Sequence, residues 1–389
     1  FFFKQKTAYE IKECDWSSDV CSSDLENGDF PPAPVKRPIA RALRQQKPYT
    51  GEADARALVM REAIRETLRH QLASDPSVVL FGQDIEDPKG DVFGVTKGLS
   101  EAFGDRVQNS ALSEATIVGT AIGRALAGEK PIAFIQFADF MPIAANQILS
   151  ELATMYWRSN GQWECPVVIM APAGGYKAGL GPFHGQSNEA FFAQCPGLNV
   201  VYPATAGDAA ALLNSALATK QPTLFLYPKA MLNLSSFATS ADAGKHFALP
   251  GAAVRRRDGR DLTLVCWGNT LPLSLEVCDA LAAHDVSIEL IDLRSIAPWD
   301  EELVLESVKK TKRLLVAHED NVFLGLGAEI VARVAERAGA GVEARRVGRA
   351  NTYIPYNFVE QTRVLPSFQT IATAGLDMLG GSHEWEAAP

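Results

Sequence analysis

The 389-residue chain is 47% hydrophobic and 21% charged, a globular balance with material for roughly two domains of the usual ~150 residues. Its 37 basic and 46 acidic residues leave a formal charge of −9, and only Arg255 to Arg257 cluster, which argues against nucleic acid and anionic membrane as partners. Apolar runs fall short of the ~18 residues of a membrane helix, since PIAFIQFADFMPIAA is broken by Gln136 and Asp139.

Residues 1–25, FFFKQKTAYEIKECDWSSDVCSSDL, repeat SSD without a helical period or a secretory cleavage pattern. They resemble a sequencing-library adapter read in frame, so they are taken as non-native. Residues 26–53 mix proline and charge and read as a linker or arm. Helical spacing begins with Met60, Ile64, Leu68 and Leu72, and Asp75-Pro76 ends it before the apolar strand VVLFG. From Glu114, helix IVGTAIGRALAG, strand PIAFIQF, helix ANQILSELATMYW and strand PVVIMAP follow one another. After a glycine loop come helix NEAFFAQ, strand LNVVYP, helix GDAAALLNSALA and strand PTLFLYP. This alternation predicts a mainly parallel sheet flanked by helices over residues 54–229.

Residues 230–260 read as a connector, with the arginines of RRRDGRD as a solvated hairpin edge. A second alternation, from DLTLVCWG to AEIVARVAERA, predicts a smaller α/β domain over 261–380, with a tail at 381–389. Setting Cys14 and Cys21 aside with the first segment, Cys165, Cys195, Cys266 and Cys278 lack CxxC spacing. They read as buried free thiols of a reducing compartment, and the cytoplasm is expected.

A dinucleotide site is disfavoured because GLGPFHG and GLGAEI lack the third glycine, and the sequence holds no phosphate-loop, HExxH or GxSxG pattern. In open parallel sheets, ligands bind beyond the carboxyl ends of strands. His184 lies on one such loop, among Gly174, Gly175, Gly179, Gly181 and Gly185, which let backbone approach a ligand; Ser187 or Asn188 can cap the next helix. Taken alone, His184 reads equally well as a surface residue beside a cap. Glu114 sits at a helix start, where an acid is favourable with or without chemistry. Gly119 and Gly123 are expected to let a neighbouring element approach that helix. Of Phe137 and Phe140, three apart, one can fill core while the other covers a ligand. His318-Glu319 reads as structural.

Together VFGVTKGLSEAFG, LSEATIVGTAIG, QFADF, the FHGQS loop, CPGLNVVYP, DLTLVCWG, IDLRSIAPWD and RLLVAHE, spread over about Ala55 to Gly380, resemble one family. It comprises the β subunits of thiamine-diphosphate-dependent 2-oxoacid dehydrogenase E1 components, built of transketolase-type pyrimidine-binding and C-terminal domains. The resemblance implies that Glu114 hydrogen-bonds the pyrimidine N1′ of thiamine diphosphate and so helps the cofactor's amino group remove the thiazolium C2 proton. It further implies that Phe140 packs on the pyrimidine with Leu112 beside it. His184 is implied at the channel mouth, orienting an incoming lipoyl group. Gly185 replaces the family's usual serine, and Ala216 to Gln221 lack the polar residues some relatives use for potassium.

The GDG motif that holds diphosphate and Mg2+ in these enzymes is absent from the sequence. The resemblance therefore implies an E1 α partner that holds Mg2+, in an α2β2 assembly docked on a lipoyl-bearing E2 acyltransferase core; no metal ligand is assigned here. QFADF looks more like the branched-chain enzymes than the pyruvate ones. Pyruvate or acetoin dehydrogenase subunits, a transketolase-like half enzyme and a non-catalytic scaffold subunit are the alternatives.

Overall fold

The computed structural model describes residues 57–381. The readings of 1–25 as non-native and 26–53 as a linker fall outside the described residues, as does the tail beyond Gly381. The first layer is built from α1 (Met60–Ser74), β1 (Val78–Gly82), α2 (Leu99–Phe103), β2 (Val107–Asn109), α3 (Glu114–Leu126) and β3 (Lys130–Phe134). It continues with α4 (Met155–Arg158), β4 (Val168–Ala173), α5 (Glu189–Ala193), β5 (Asn199–Val201), α6 (Ala206–Ala218) and β6 (Thr223–Pro228). The second comprises β7 (Val254–Arg257), β8 (Leu262–Cys266), α7 (Thr270–Ala282), β9 (Ile288–Asp292), β10 (Ser295–Ala297) and α8 (Glu301–Thr311). It ends with β11 (Arg313–Asn321), α9 (Leu326–Arg337), β12 (Glu343–Arg349), α10 (Phe358–Val364) and α11 (Phe368–Met378).

Two sheets result, ordered β10-β5-β6-β4-β3-β1-β2 and β12-β11-β8-β9-β7. Pairing is parallel except where β10 meets β5 and β7 meets β9. Strands β1, β4, β6, β8 and β9 are buried along their whole length, as apolar runs between two helical layers must be. Among the described residues, no helix is long and apolar enough to cross a membrane. Cys165, Cys266 and Cys278 are buried as expected, whereas Cys195 is only half-buried.

Three expectations are corrected. The helix predicted over ANQILSELATMYW, residues 145–157, is instead a π segment at Gln147–Leu152 followed by the single turn α4, with a 3-10 segment at Ala138–Ala144 just before it. Pro142, inside that 3-10 segment, lacks a backbone donor and disfavours a regular α-helix running into the predicted one. Strand β10 leaves the second alternation to add an antiparallel edge to the first sheet. The arginine run is not a uniformly solvated edge: Arg256 is largely buried and bonds Asp208 and Asp292.

Candidate active site

The first sheet reverses its strand order at β1. The chain moves outward from β1 to β2, then returns through α3 to β3 on the other side. Connections on the two sides diverge there and open a crevice at the carboxyl ends of β1 and β3, the general location of ligand sites in such sheets. Glu114, at the first position of α3, lies at this crevice. Its side chain is 8% exposed and its Oε1 accepts a hydrogen bond from Gln83 Nε2 at 2.7 Å. Gln83 follows β1, and its own Oε1 accepts from the backbone N–H of Gln136, after β3, at 3.0 Å. Sequence reasoning missed Gln83, though the strand-end rule that drew attention to these loops covers it equally.

Gln136 leads into the aromatic turn. Phe137 is buried and Phe140 half-buried, the division expected from their spacing. Their rings meet edge to face at 5.7 Å, and the His184 imidazole packs edge-on against both, at 4.6 Å from Phe137 and 5.6 Å from Phe140. Glu114 and His184 are thus joined through Gln83, the Gln136 backbone and Phe137. Leu112, two residues before Glu114, is 76% exposed. A cleft of about 480 Å³ opens beside the histidine loop, lined by Asp139, Phe140, Pro182, Phe183, Gln186 and, from the second domain, Tyr353. A larger groove of about 900 Å³ lies elsewhere, between α5 and the β11–α9 loop, and is lined by none of Glu114, Leu112, Phe140 or His184.

Behind the aromatic turn, Lys229 is buried with its ammonium 5.3 Å from the Phe137 ring centre and, among the described residues, without a hydrogen-bond partner. Burial pushes its pKa down to about 8, against the opposing pull of Asp139 and Glu319. Burial likewise raises the Asp139 carboxyl, with the Lys229 charge opposing. Asp139 Oδ1 accepts the Gln186 N–H at 2.9 Å and so ties the aromatic turn to the histidine loop.

The glycines of that loop have a different cause from the one expected. At Gly174, added side-chain volume would strike Asn269 and Glu319; at Gly181 it would strike the Tyr356 ring, and at Gly185 it would lie 2.9 Å from Ile354 Cγ2. Asn269, Glu319, Tyr356 and Ile354 belong to the second domain, although Gly185 also faces the Gly181 carbonyl oxygen of its own loop at 2.9 Å. The second domain further receives the Gly175 N–H on Glu319 and supplies Gln361 Oε1 to Lys177 N at 3.1 Å. Small residues here admit the neighbouring domain, while Gly179 has nothing within 4 Å among the described residues. Nor is α5 capped as expected. Asn188 adopts a left-handed φ of 58° and its side chain donates to the Ala138 carbonyl at 3.3 Å. The second-domain pair has the structural character expected of it. His318 stacks on Trp267 at 5.2 Å and is held near a pKa of about 3 by burial, so it packs as a neutral ring.

Gly119 and Gly123 lie on an exposed face of α3. The nearest atom to a side chain at Gly119 is Gln147 Cγ at 3.9 Å, and nothing lies within 4 Å at Gly123. No element of this chain makes the close approach expected there, among the described residues. None of the described residues forms a group of three or more His, Cys, Asp or Glu placed to hold a metal ion.

Comparison with known proteins follows the same two-part division. Residues 56–235 match the transketolase pyrimidine-binding domain and residues 251–368 the transketolase C-terminal domain. The chain is 38% identical to the 2-oxoisovalerate dehydrogenase subunit beta of Bacillus subtilis over 71% of this chain and 83% of that protein. The chain belongs to the transketolase-type E1 β family. Other relatives of this E1 β chain differ in their named substrates. It is 36% identical to the acetoin:2,6-dichlorophenolindophenol oxidoreductase subunit beta of Cupriavidus necator over 85% of this chain and all of that one. It is 38% identical to the pyruvate dehydrogenase E1 component subunit beta of Leifsonia xyli over 77% of this chain and 88% of that one. A split-gene transketolase, solved as an inactive β4 tetramer, shares the E1 β fold with a TM-score of 0.68 at 22% identity, over 83% of this chain and 99% of that one.

Proposed function

We propose that this protein is the β half of a 2-oxoacid dehydrogenase E1 component and acts on thiamine diphosphate bound jointly with an α subunit. The observation that carries the reading is the Glu114 carboxyl at the switch-point crevice. One oxygen is engaged by Gln83, and the other meets no protein donor among the described residues. A nearly dry carboxyl with one unengaged oxygen fits a heterocyclic nitrogen that must exchange a proton. The half-buried Phe140 offers a ring for that heterocycle, and exposed Leu112 a second apolar surface. When bound, the cofactor supplies the electron sink for decarboxylation. Glu114 holds and returns the proton at its own carboxyl, and the aromatic turn excludes water from that side.

His184, edge-on against Phe137 and Phe140 in the loop whose Pro182, Phe183 and Gln186 line the 480 Å³ cleft, would meet a second substrate entering there, a lipoyl group on an E2 acyltransferase. Diphosphate and Mg2+ are assigned to the α partner, and the open glycine face of α3 supports a neighbouring chain beside the acid. Branched-chain 2-oxoacids are favoured on QFADF.

The test is reconstitution with an E1 α subunit, following cofactor-dependent decarboxylation of 3-methyl-2-oxobutanoate and of pyruvate. Glu114→Gln is expected to lower the rate by roughly 10²-fold or more, the usual scale for a positioned proton carrier. Decarboxylation persisting near the wild-type rate would refute the role given to the carboxyl, and indifference to both acids would refute the class.

A further inference from the structure

Gln83 is 2% exposed and both ends of its amide are engaged. The Gln136 backbone N–H can only donate, so the atom it meets at 3.0 Å must be the carbonyl oxygen of Gln83. The amide nitrogen must then face Glu114 Oε1, at 2.7 Å. The orientation is reinforced from the backbone. Gln83 N donates to Phe134 O at 3.3 Å, and Gly82 presses so closely on Phe134 that no side chain fits between β1 and β3 there.

A carboxylic hydroxyl oxygen is a poorer acceptor than its carbonyl partner, so the oxygen that takes an N–H is the less favourable seat for a proton. With Oε1 committed to Gln83, any proton on Glu114 belongs on Oε2. We infer that Gln83 is a positioning residue that fixes the Glu114 carboxyl against the end of β3 and selects Oε2 as its proton-carrying oxygen. The same amide holds the first residue of the aromatic turn, so one side chain sets the acid and the Phe140 ring in register. This inference rests on the proposed thiamine-diphosphate chemistry.

The test uses the α-reconstituted assembly carrying wild type, Gln83→Met or Gln83→Glu. Cofactor affinity is measured by calorimetry and hydrogen–deuterium exchange at the cofactor C2 by NMR, each across pH. Gln83→Met keeps the length but removes the donor; exchange is expected to fall about tenfold, the scale of one charged hydrogen bond, with cofactor affinity changed less. Gln83→Glu is isosteric and still accepts the Gln136 N–H, but donates to Glu114 only while the new acid is protonated. Its exchange should approach wild type toward acid pH and fall as pH rises, a titration absent from the wild type. A purely packing role would give no such pH dependence. Gln83→Met exchanging at the wild-type rate, or Gln83→Glu following the wild-type pH profile, overturns the inference. If Gln83→Met fails to assemble, the Gln83→Glu profile alone decides. A wild-type assembly that binds no cofactor refutes the functional reading first, and this inference with it.

Discussion

Arg294 Nη1 donates to Asp208 Oδ1 at 2.7 Å with both side chains buried, joining the segment after β9 to the first turn of α6. Arg256 grips the other Asp208 oxygen and also bonds Asp292 at 2.8 Å. Burial alone would raise the Asp208 carboxyl, but the two guanidinium groups hold it below its ordinary range. Removing the shared buried anion strands Arg294 and leaves Arg256 with Asp292 alone; breaking a buried pair in this way typically costs about 3–5 kcal/mol. Asp208→Asn is therefore expected to lower the urea-unfolding free energy by that order. A loss below about 1 kcal/mol would show that the two domains do not depend on this junction.

Replacing His184 by Ala should separate two half-reactions. Its ring contacts Phe137 and Phe140 but forms no part of the Gln83–Glu114 hydrogen bond. Decarboxylation read with a dye acceptor should stay within about threefold of wild type, while acyl transfer to a lipoyl domain falls roughly 10²-fold, the scale of lost proton management. Equal loss in both assays would place the imidazole in the first step instead.

How far these features could be read in advance depended on whether their cause is local. The strands announced themselves because VVLFG, PVVIMAP and PTLFLYP are apolar throughout, as strands covered on both faces must be. Glu114 was legible through its place at a helix start, and the Phe137/Phe140 division through their spacing. Gln83 was not, because a glutamine after a strand is unremarkable until folding brings it to an acid 31 positions away. Arg256 carried part of a readable sign: neighbours along a strand point to opposite faces, so three successive arginines cannot share one environment, but which of them turns inward is set by the irregular β7–β9 register. The glycines signalled only that space is tight. Whether a ligand or a second domain fills that space is a tertiary fact.

Asp91 provides a pH test. Its side chain is buried in the loop after β1, accepts the Phe93 and Val95 N–H groups at 3.2 and 3.3 Å, and has its carboxyl pushed up by burial to about 6. A carboxyl raised from 3.8 to about 6 binds its proton more tightly folded than unfolded. Its contribution to stability is therefore complete below about pH 4 and is lost as pH rises through 6. Asp91→Asn keeps an acceptor for both N–H groups and cannot ionise. It should flatten the stability profile between pH 4 and 6 and gain on the order of 1–3 kcal/mol at pH 7 relative to wild type. An unchanged slope across that window would show that the carboxyl is not protonated in the fold.

Gly185 stands where the family resemblance implies a serine, and its surroundings test why. A Cβ at Gly185 would lie 2.9 Å from the Gly181 carbonyl oxygen and 2.9 Å from Ile354 Cγ2, and Ile354 is buried. The carbonyl belongs to the histidine loop itself and cannot retreat without moving His184, whereas Ile354 belongs to the second domain and can be shortened. Gly185→Ser should cost about 1–3 kcal/mol through overpacking, and Ile354→Ala alone about 2–4 kcal/mol through a cavity. Combined, the two should cost clearly less than their sum, because each relieves the defect made by the other. Strict additivity in denaturant unfolding would mean that the backbone contact, not Ile354, excludes the hydroxyl. In that case Gly185→Ser should disturb acyl transfer through His184 whether or not Ile354 is shortened.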